Sequence, residues 1–174
     1  MNSNNIFLIG LMGSGKTTIG KLLSKKLDKV FFDSDQVIEG ELGVKVPLIF
    51  EYEGESGFRK RESKVLKYLV VKKNIILSTG GGAILSSKNR ELLSSNGMVI
   101  YLKADYENLA KRMENDKSRP LLQGTEIISN LKRLFKIRDP LYSSIADYEI
   151  NTKNKKAYQI EKEIRMLVLK YENN

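Results

Sequence analysis

The chain has 174 residues, 30 of them Lys or Arg and 21 Asp or Glu, for a net charge of +9, and it contains no Cys, His or Trp. Its length suits one domain, and the missing residues exclude a disulfide framework, a thiolate nucleophile, structural zinc, a Ser-His-Asp triad and any imidazole base. Catalysis has to run on carboxylates, hydroxyls, Lys, Arg, backbone amides or an oxygen-bound cation such as Mg²⁺.

In chain order, residues 6–9 read as a buried strand. Residues 16–27 follow as a helix, with Ile19, Leu22, Leu23 and Leu27 on one face. Residues 30–32 form a second strand that ends in Asp33-Ser34-Asp35. Helical patterns then cover about 46–53 and 57–71, and a strand at 75–77 runs into Gly80-Gly81-Gly82. A helix at about 88–94 and a strand at 99–102 come next. Asp105 is placed to cap a helix reaching about 115. Residues 116–124 are polar, contain Pro120 and break the pattern. A helix over about 126–138, a short strand near 148–150 and a last helix over about 157–171 complete the chain. Strands alternating with helices predict right-handed crossovers and a parallel sheet covered on both faces, with ligands beyond the carboxyl ends of the strands.

The motifs fall at those ends. Gly10-Leu11-Met12-Gly13-Ser14-Gly15-Lys16-Thr17 satisfies G-x-x-x-x-G-K-[ST] between a strand and a helix. Glycines let backbone N–H groups converge on phosphate oxygens, and the helix N-terminus adds its dipole. Lys16 can reach the β- and γ-phosphates and the Thr17 hydroxyl can ligate Mg²⁺. A bound ATP or GTP follows from this motif, but the fate of the γ-phosphate does not.

Other residues leave two readings each. Alternation along an extended chain points Asp33 and Asp35 to one side, one towards Mg²⁺ and the other towards a substrate hydroxyl; Asp35 is equally an N-cap. The triple glycine is a tight turn or a backbone that closely approaches a ligand, and Ser78 before it stands where Mg²⁺ or phosphate would lie. Arg59 and Glu62, three apart, are a surface pair worth ~0.3–0.5 kcal/mol or a guanidinium fork held for a carboxylate. Arg112 and Arg119 bracket the polar break, as solvated cations or as a cover over nucleotide. Arg138, before Asp139-Pro140, sits near an expected helix end, where a cation also complements the dipole.

Together these residues resemble the shikimate kinase family. Besides the loop and Asp33-Ser34-Asp35, the chain carries Ile49-Phe50-(x)₃-Gly54-Glu55-(x)₂-Phe58-Arg59-(x)₂-Glu62 and Leu77-Ser78-Thr79-Gly80-Gly81-Gly82-Ala83. Arg119-Pro120-Leu121-Leu122 and Arg138-(x)₃-Tyr142 follow in the family's order. The resemblance implies an α/β, three-layer P-loop NTPase fold with a central five-stranded parallel sheet, like that of nucleoside-monophosphate kinases. It implies a single domain with substrate-binding helices at about 34–72 and a lid at about 112–125. It also implies transfer of the ATP γ-phosphoryl group to the 3-hydroxyl of shikimate, on the route to chorismate and the aromatic amino acids.

By the same resemblance, Gly13, Ser14, Gly15, Lys16, Thr17 and Thr18 bind ATP. Arg112 packs on adenine, and Arg119 is the lid arginine near the phosphates. Asp35, Arg59, Gly80, Gly81, Gly82 and Arg138 bind the acid, while Thr17 and Asp33 match the positions for one Mg²⁺. Lys16, Asp35 and Arg119 are the catalytic set. The Arg59 and Arg138 blocks separate this pattern from gluconate and nucleoside-monophosphate kinases. One departure stands out: residues 151–156 contain no Arg where family members often place one near adenine, and Lys155 is the candidate to replace it.

The positive excess divides as +4 over residues 1–87 and +5 over 88–174, without a basic tail, so nucleic acid is not expected as a partner. Residues 6–12 are apolar but far short of the ~20 needed to span a bilayer, which leaves a cytoplasmic protein without membrane contact as the expectation. The family suggests a monomer.

Overall fold

A computed structural model describes residues 4–113 and 127–172. Within them, β1 (Ile6–Ile9), β2 (Val30–Asp33), β3 (Ile75–Ser78), β4 (Met98–Lys103) and β5 (Tyr148–Asn151) form one sheet in the order β2-β3-β1-β4-β5, every neighbouring pair parallel. The helices are α1 (Lys16–Leu27), α2 (Ser34–Leu42), α3 (Val46–Val70), α4 (Ser87–Asn96), α5 (Tyr106–Met113), α6 (Ile127–Ser143) and α7 (Ala157–Glu172). This is the expected three-layer arrangement, because side chains alternate across each strand and both faces are buried. Ile6 and Leu8 pack with Ile19, Leu23, Ile160 and Ile164 of α1 and α7. Phe7 and Ile9 join Leu66, Leu93, Leu109 and Leu131 on the other face.

Strand register lines up the ends of three strands. Asp33 is level with Ser78, and Ser78 is level with Leu8. The segments after β2, β3 and β1 therefore leave the sheet side by side, with β1 in the middle of the order where the chain changes direction across the sheet.

Some expected boundaries move. Asp35 is not an extension of β2 but lies in the first turn of α2, and the cap is Asp33, whose Oδ1 accepts from the Asp35 and Gln36 N–H groups at 3.1 and 3.4 Å. The two expected helices at 46–53 and 57–71 meet at a kink in α3, where Gly54 adopts φ 68° and ψ 179°. The helix expected to stop near Arg138 continues to Ser143 with Pro140 inside it. Proline there forfeits one backbone hydrogen bond, but burial of Arg138 and Tyr142 holds the extra turn in place. Asp105 does cap α5, accepting from Asn108 N–H at 2.8 Å. Arg119 and most of the expected lid lie outside the described residues. Among the described residues, no helix is long and apolar enough to cross a membrane.

At the opposite end of the sheet, Asn5 is buried and ties four segments together. Its side-chain amide donates to the Val70, Lys72 and Asn96 carbonyls at 3.3, 2.7 and 3.4 Å, and its Oδ1 accepts from Ile75 N–H at 3.1 Å. Asn5→Ala strands these groups and should cost about 2–3 kcal/mol, read as a lower urea midpoint with an unchanged m-value.

Candidate active site

The loop between β1 and α1 depends on glycines for conformation. Gly10, Gly13 and Gly15 have φ of 144°, 76° and 97°, and a Cβ on Gly10 would meet the Leu102 carbonyl oxygen at 2.7 Å. Gly15 starts α1 without a side-chain cap, so the first N–H groups of the helix remain available to an anion. Lys16 is buried and folds back over the loop, its Nζ donating to the Gly10 and Leu11 carbonyls at 2.8 and 2.9 Å. The Thr17 hydroxyl donates to Asp33 Oδ2 at 2.7 Å, bridging α1 to the end of β2. A hydroxyl and a carboxylate in contact are hard oxygen donors, which suits Mg²⁺, a cation that takes few protein ligands and keeps the rest for phosphate and water.

A cavity of about 260 Å³ begins at this loop, where Gly13, Lys16, Thr17 and Thr18 line it. It continues past Asp33 and Asp35 to Ser78, Thr79, Gly80 and Gly81. Gly13, Gly15, Lys16, Thr17 and Thr18 of the expected ATP-side residues and Asp35, Gly80 and Gly81 of the expected acceptor-side residues thus share one open space. Gly82, Arg59 and Arg138 do not line it: Arg59 packs against Gly82 and Arg138 against the Gly81 carbonyl, behind the triple-glycine wall.

At its far end the triple glycine is packed by charged side chains. None of the three lies in the left-handed φ region; what they supply is room. A Cβ on Gly80 would lie 2.5 Å from Glu62 Oε1 and 2.8 Å from Asp35 Oδ1. One on Gly82 would collide with the Arg59 guanidinium. Gly81 tolerates one better, but its carbonyl accepts from Arg138 Nη1 at 3.2 Å. The three glycines therefore bring Asp35, Glu62, Arg59 and Arg138 against one stretch of backbone.

Arg59 and Glu62 form a built pair. Glu62 is fully buried and accepts from Arg59 Nη1 at 2.8 Å, while Glu55 Oε1, one turn back, accepts from Arg59 Nε and Nη2 at 3.3 and 3.2 Å. The guanidinium also lies over the Phe58 ring, 5.3 Å from its centre. Glu62 Oε1 meets no hydrogen-bond donor among the described residues. Burial accordingly pushes the Glu62 carboxyl up to about 6, against the pull of Arg59 and with a further push from Asp35.

The nucleotide side is partly visible. Arg112 Nη1 and Nη2 donate to the Gly13 and Thr152 carbonyls at 3.5 and 3.4 Å, joining the loop after β1 to the segment after β5. Lys155, considered for the missing arginine, has its Nζ paired with Glu163 Oε2 at 2.6 Å. Sequence reasoning gave no role to Ser34, Glu55 or Tyr142, although each stands inside a quoted motif. The i, i+4 spacings of Glu55 with Arg59 and of Arg138 with Tyr142 were the available signals.

A family model described as shikimate kinase matches residues 12–168. A shikimate kinase of Burkholderia lata is 49% identical over 148 residues, which is 85% of this chain and 80% of that protein. The solved structure of shikimate kinase from Acinetobacter baumannii in complex with shikimate superposes with a TM-score of 0.93 at 45% identity, covering 98% of this chain and 95% of that one. A gluconokinase from Sinorhizobium meliloti, at 16% identity and TM-score 0.64 over 96% of this chain and 92% of its own, shares the fold alone.

The buried Glu62 makes stability depend on pH in a stated direction. A carboxyl raised from 4.5 to about 6 on folding favours the native state most below about pH 4.5, and that contribution is lost as pH rises through about 6. The stability advantage of the wild type over Glu62→Gln should fall by about 2 kcal/mol between pH 4 and 7 in denaturant titrations. A pH-independent difference would mean that Glu62 titrates normally.

Proposed function

Because the chain belongs to the shikimate kinase family and is an ATP-using kinase with shikimate as acceptor, we propose that the loop end of the cavity holds the triphosphate and the triple-glycine end the acid, with Asp35 between them. The γ-phosphoryl group passes to the 3-hydroxyl, giving shikimate 3-phosphate and ADP. The observation that carries these roles is the shared cavity: Lys16 and Thr17 line one end, Asp35 and Gly80-Gly81 the other.

Shikimate offers a carboxylate and ring hydroxyls. Arg59 and Arg138 bind the carboxylate as planar forks, and Glu62 keeps the Arg59 fork from swinging away. Gly80, Gly81 and Gly82 let the ring approach the backbone. Asp35 orients the acceptor hydroxyl and takes its proton as the new bond forms. Little base strength is needed, since phosphoryl transfer passes through a loose transition state in which positioning and charge neutralisation dominate. Lys16 leaves its carbonyl partners for the phosphate oxygens, and Gly13, Ser14, Gly15 and Thr18 complete the cradle. Thr17 and Asp33 are the residues that would hold one Mg²⁺, whose chemistry when bound with ATP is to neutralise phosphate charge.

Arg112, tied to Gly13 and Thr152, lies where it can cover the base, and Arg119 carries its family role at the phosphates. The proposal extends to a single domain whose helices at about 34–72 serve the acid and whose residues 112–125 close as a lid. It also takes the enzyme as a cytoplasmic monomer, working where ATP is regenerated, without nucleic-acid or membrane partners.

ADP release with ATP and Mg²⁺ should require shikimate and be absent with gluconate, AMP or no acceptor. A rate independent of shikimate would overturn the reading. Asp35→Asn keeps the shape but removes the proton acceptor, so kcat should fall about 10²–10⁴-fold while ATP binding by titration stays near wild type.

A further inference from the structure

We propose that Ser34 and Tyr142 are positioning residues that clamp the Gly80–Gly81 backbone from two sides and so hold the acid-binding wall of the cavity in place. The inference rests on the assignment of the triple glycine to the acceptor side. It concerns two hydroxyls to which the mechanism above gives no part.

Three consecutive glycines have more conformational freedom than any other tripeptide and no side chains with which to anchor themselves. Their order has to come from outside. Ser34 lies fully buried between the two site aspartates, and its Oγ accepts from Gly80 N–H at 3.0 Å. From the other side, the buried Tyr142 hydroxyl donates to the Gly81 carbonyl at 2.5 Å. Arg138, one turn earlier on α6, donates to the same carbonyl. The remaining carbonyls of the segment close local turns, Gly80 O with Ala83 N–H and Gly82 O with Leu85 N–H, both at 3.1 Å. Among the described residues, the Gly81 N–H meets no acceptor, and Gly81 borders the cavity.

The two clamps are themselves rigid. Ser34 is the first residue of α2, so its hydroxyl moves with the Asp33 cap and with Asp35. The Tyr142 ring stacks on Tyr101 of β4 with centres 4.8 Å apart and planes 28° from parallel. Tyr101 is fixed in turn by its hydroxyl, which donates to Asp139 Oδ1 at 2.8 Å. Ser34 thus ties the wall to the Asp35 side and Tyr142 ties it to the sheet. Without the Tyr142 hydroxyl, the Gly81 carbonyl keeps only Arg138, a residue needed at the carboxylate.

Steady-state kinetics of Ser34→Ala, Ser34→Thr and Tyr142→Phe test this. Ser34→Ala and Tyr142→Phe should each raise the KM for shikimate about 3- to 10-fold and leave the KM for ATP within about twofold, the loss expected for one hydrogen bond. Ser34→Thr, which keeps the hydroxyl, should return to within about twofold of wild type. Amide exchange followed by NMR in the substrate-free enzyme supplies a readout apart from turnover: Gly80 N–H should exchange about tenfold faster in Ser34→Ala but not in Ser34→Thr. Lower thermal stability with an unchanged shikimate KM, or an equal rise in KM for both substrates, overturns the clamp. If the wild type showed no shikimate-dependent turnover, the functional reading would fall, while the Gly80 exchange rates would still decide whether Ser34 holds the wall.

Discussion

The chemistry of this molecule depends on one constraint of strand order, that β3 lies between β2 and β1 with all three parallel and in register. Asp33, Ser78 and Leu8 come level across the sheet, so the segments that follow them emerge together. From that common edge the loop of Gly10–Gly15 turns one way and the triple glycine rises beside it, while Asp33 caps the helix that carries Asp35. Parallel strands buried on both faces tolerate no slip, because a one-residue shift would exchange Phe7 and Leu8 between two different cores. The geometry at the edge is therefore enforced by apolar packing far from it.

Glycine serves the two halves of the site for different reasons. In the loop before α1 it meets positive φ values that other residues resist. In the 80–82 segment the φ angles are ordinary, and the requirement is empty space for Asp35, Glu62 and Arg59. The second use is costly, since Glu62 is kept fully buried with one oxygen unsatisfied among the described residues. Burial of that carboxylate lowers stability near neutral pH, and the return is an arginine that cannot wander from the acceptor end. A buried ion pair with this balance is better understood as a device for orientation than for stability.

Much of this was legible in the sequence. The loop motif, Asp-x-Asp and triple glycine sit where the strand pattern ends, because ligand sites of parallel sheets occupy the carboxyl edge whatever the ligand. The Arg59 block lies within α3 and reaches that edge only through packing. Local periodicity found each of the described strands. β1, β3 and β4 read as nearly unbroken apolar runs because burial on both faces demands it, whereas the edge strands β2 and β5 are only partly covered. The helix boundaries around the site were harder. Asp33 rather than Asp35 is the cap, and α6 runs through Pro140, because tertiary burial of Tyr142 outweighs the proline penalty.

By itself the sequence determined the chemistry that could be done and the order in which its parts appear along the chain. It named the phosphate loop through motif spacing, which reports local backbone geometry directly, while the carboxylates and the arginines gained their roles from the resemblance to the family. Only the tertiary structure decided which of these side chains meet. That Glu62 and Asp35 converge on Gly80, that Arg59 fills the space left by Gly82, and that Ser34 and Tyr142 hold the same glycines from two elements are long-range contacts. The physical reason is that no local pattern encodes such contacts: they arise where separate elements pack against one sheet edge, and the missing Cβ atoms acquire meaning only from what lies opposite them.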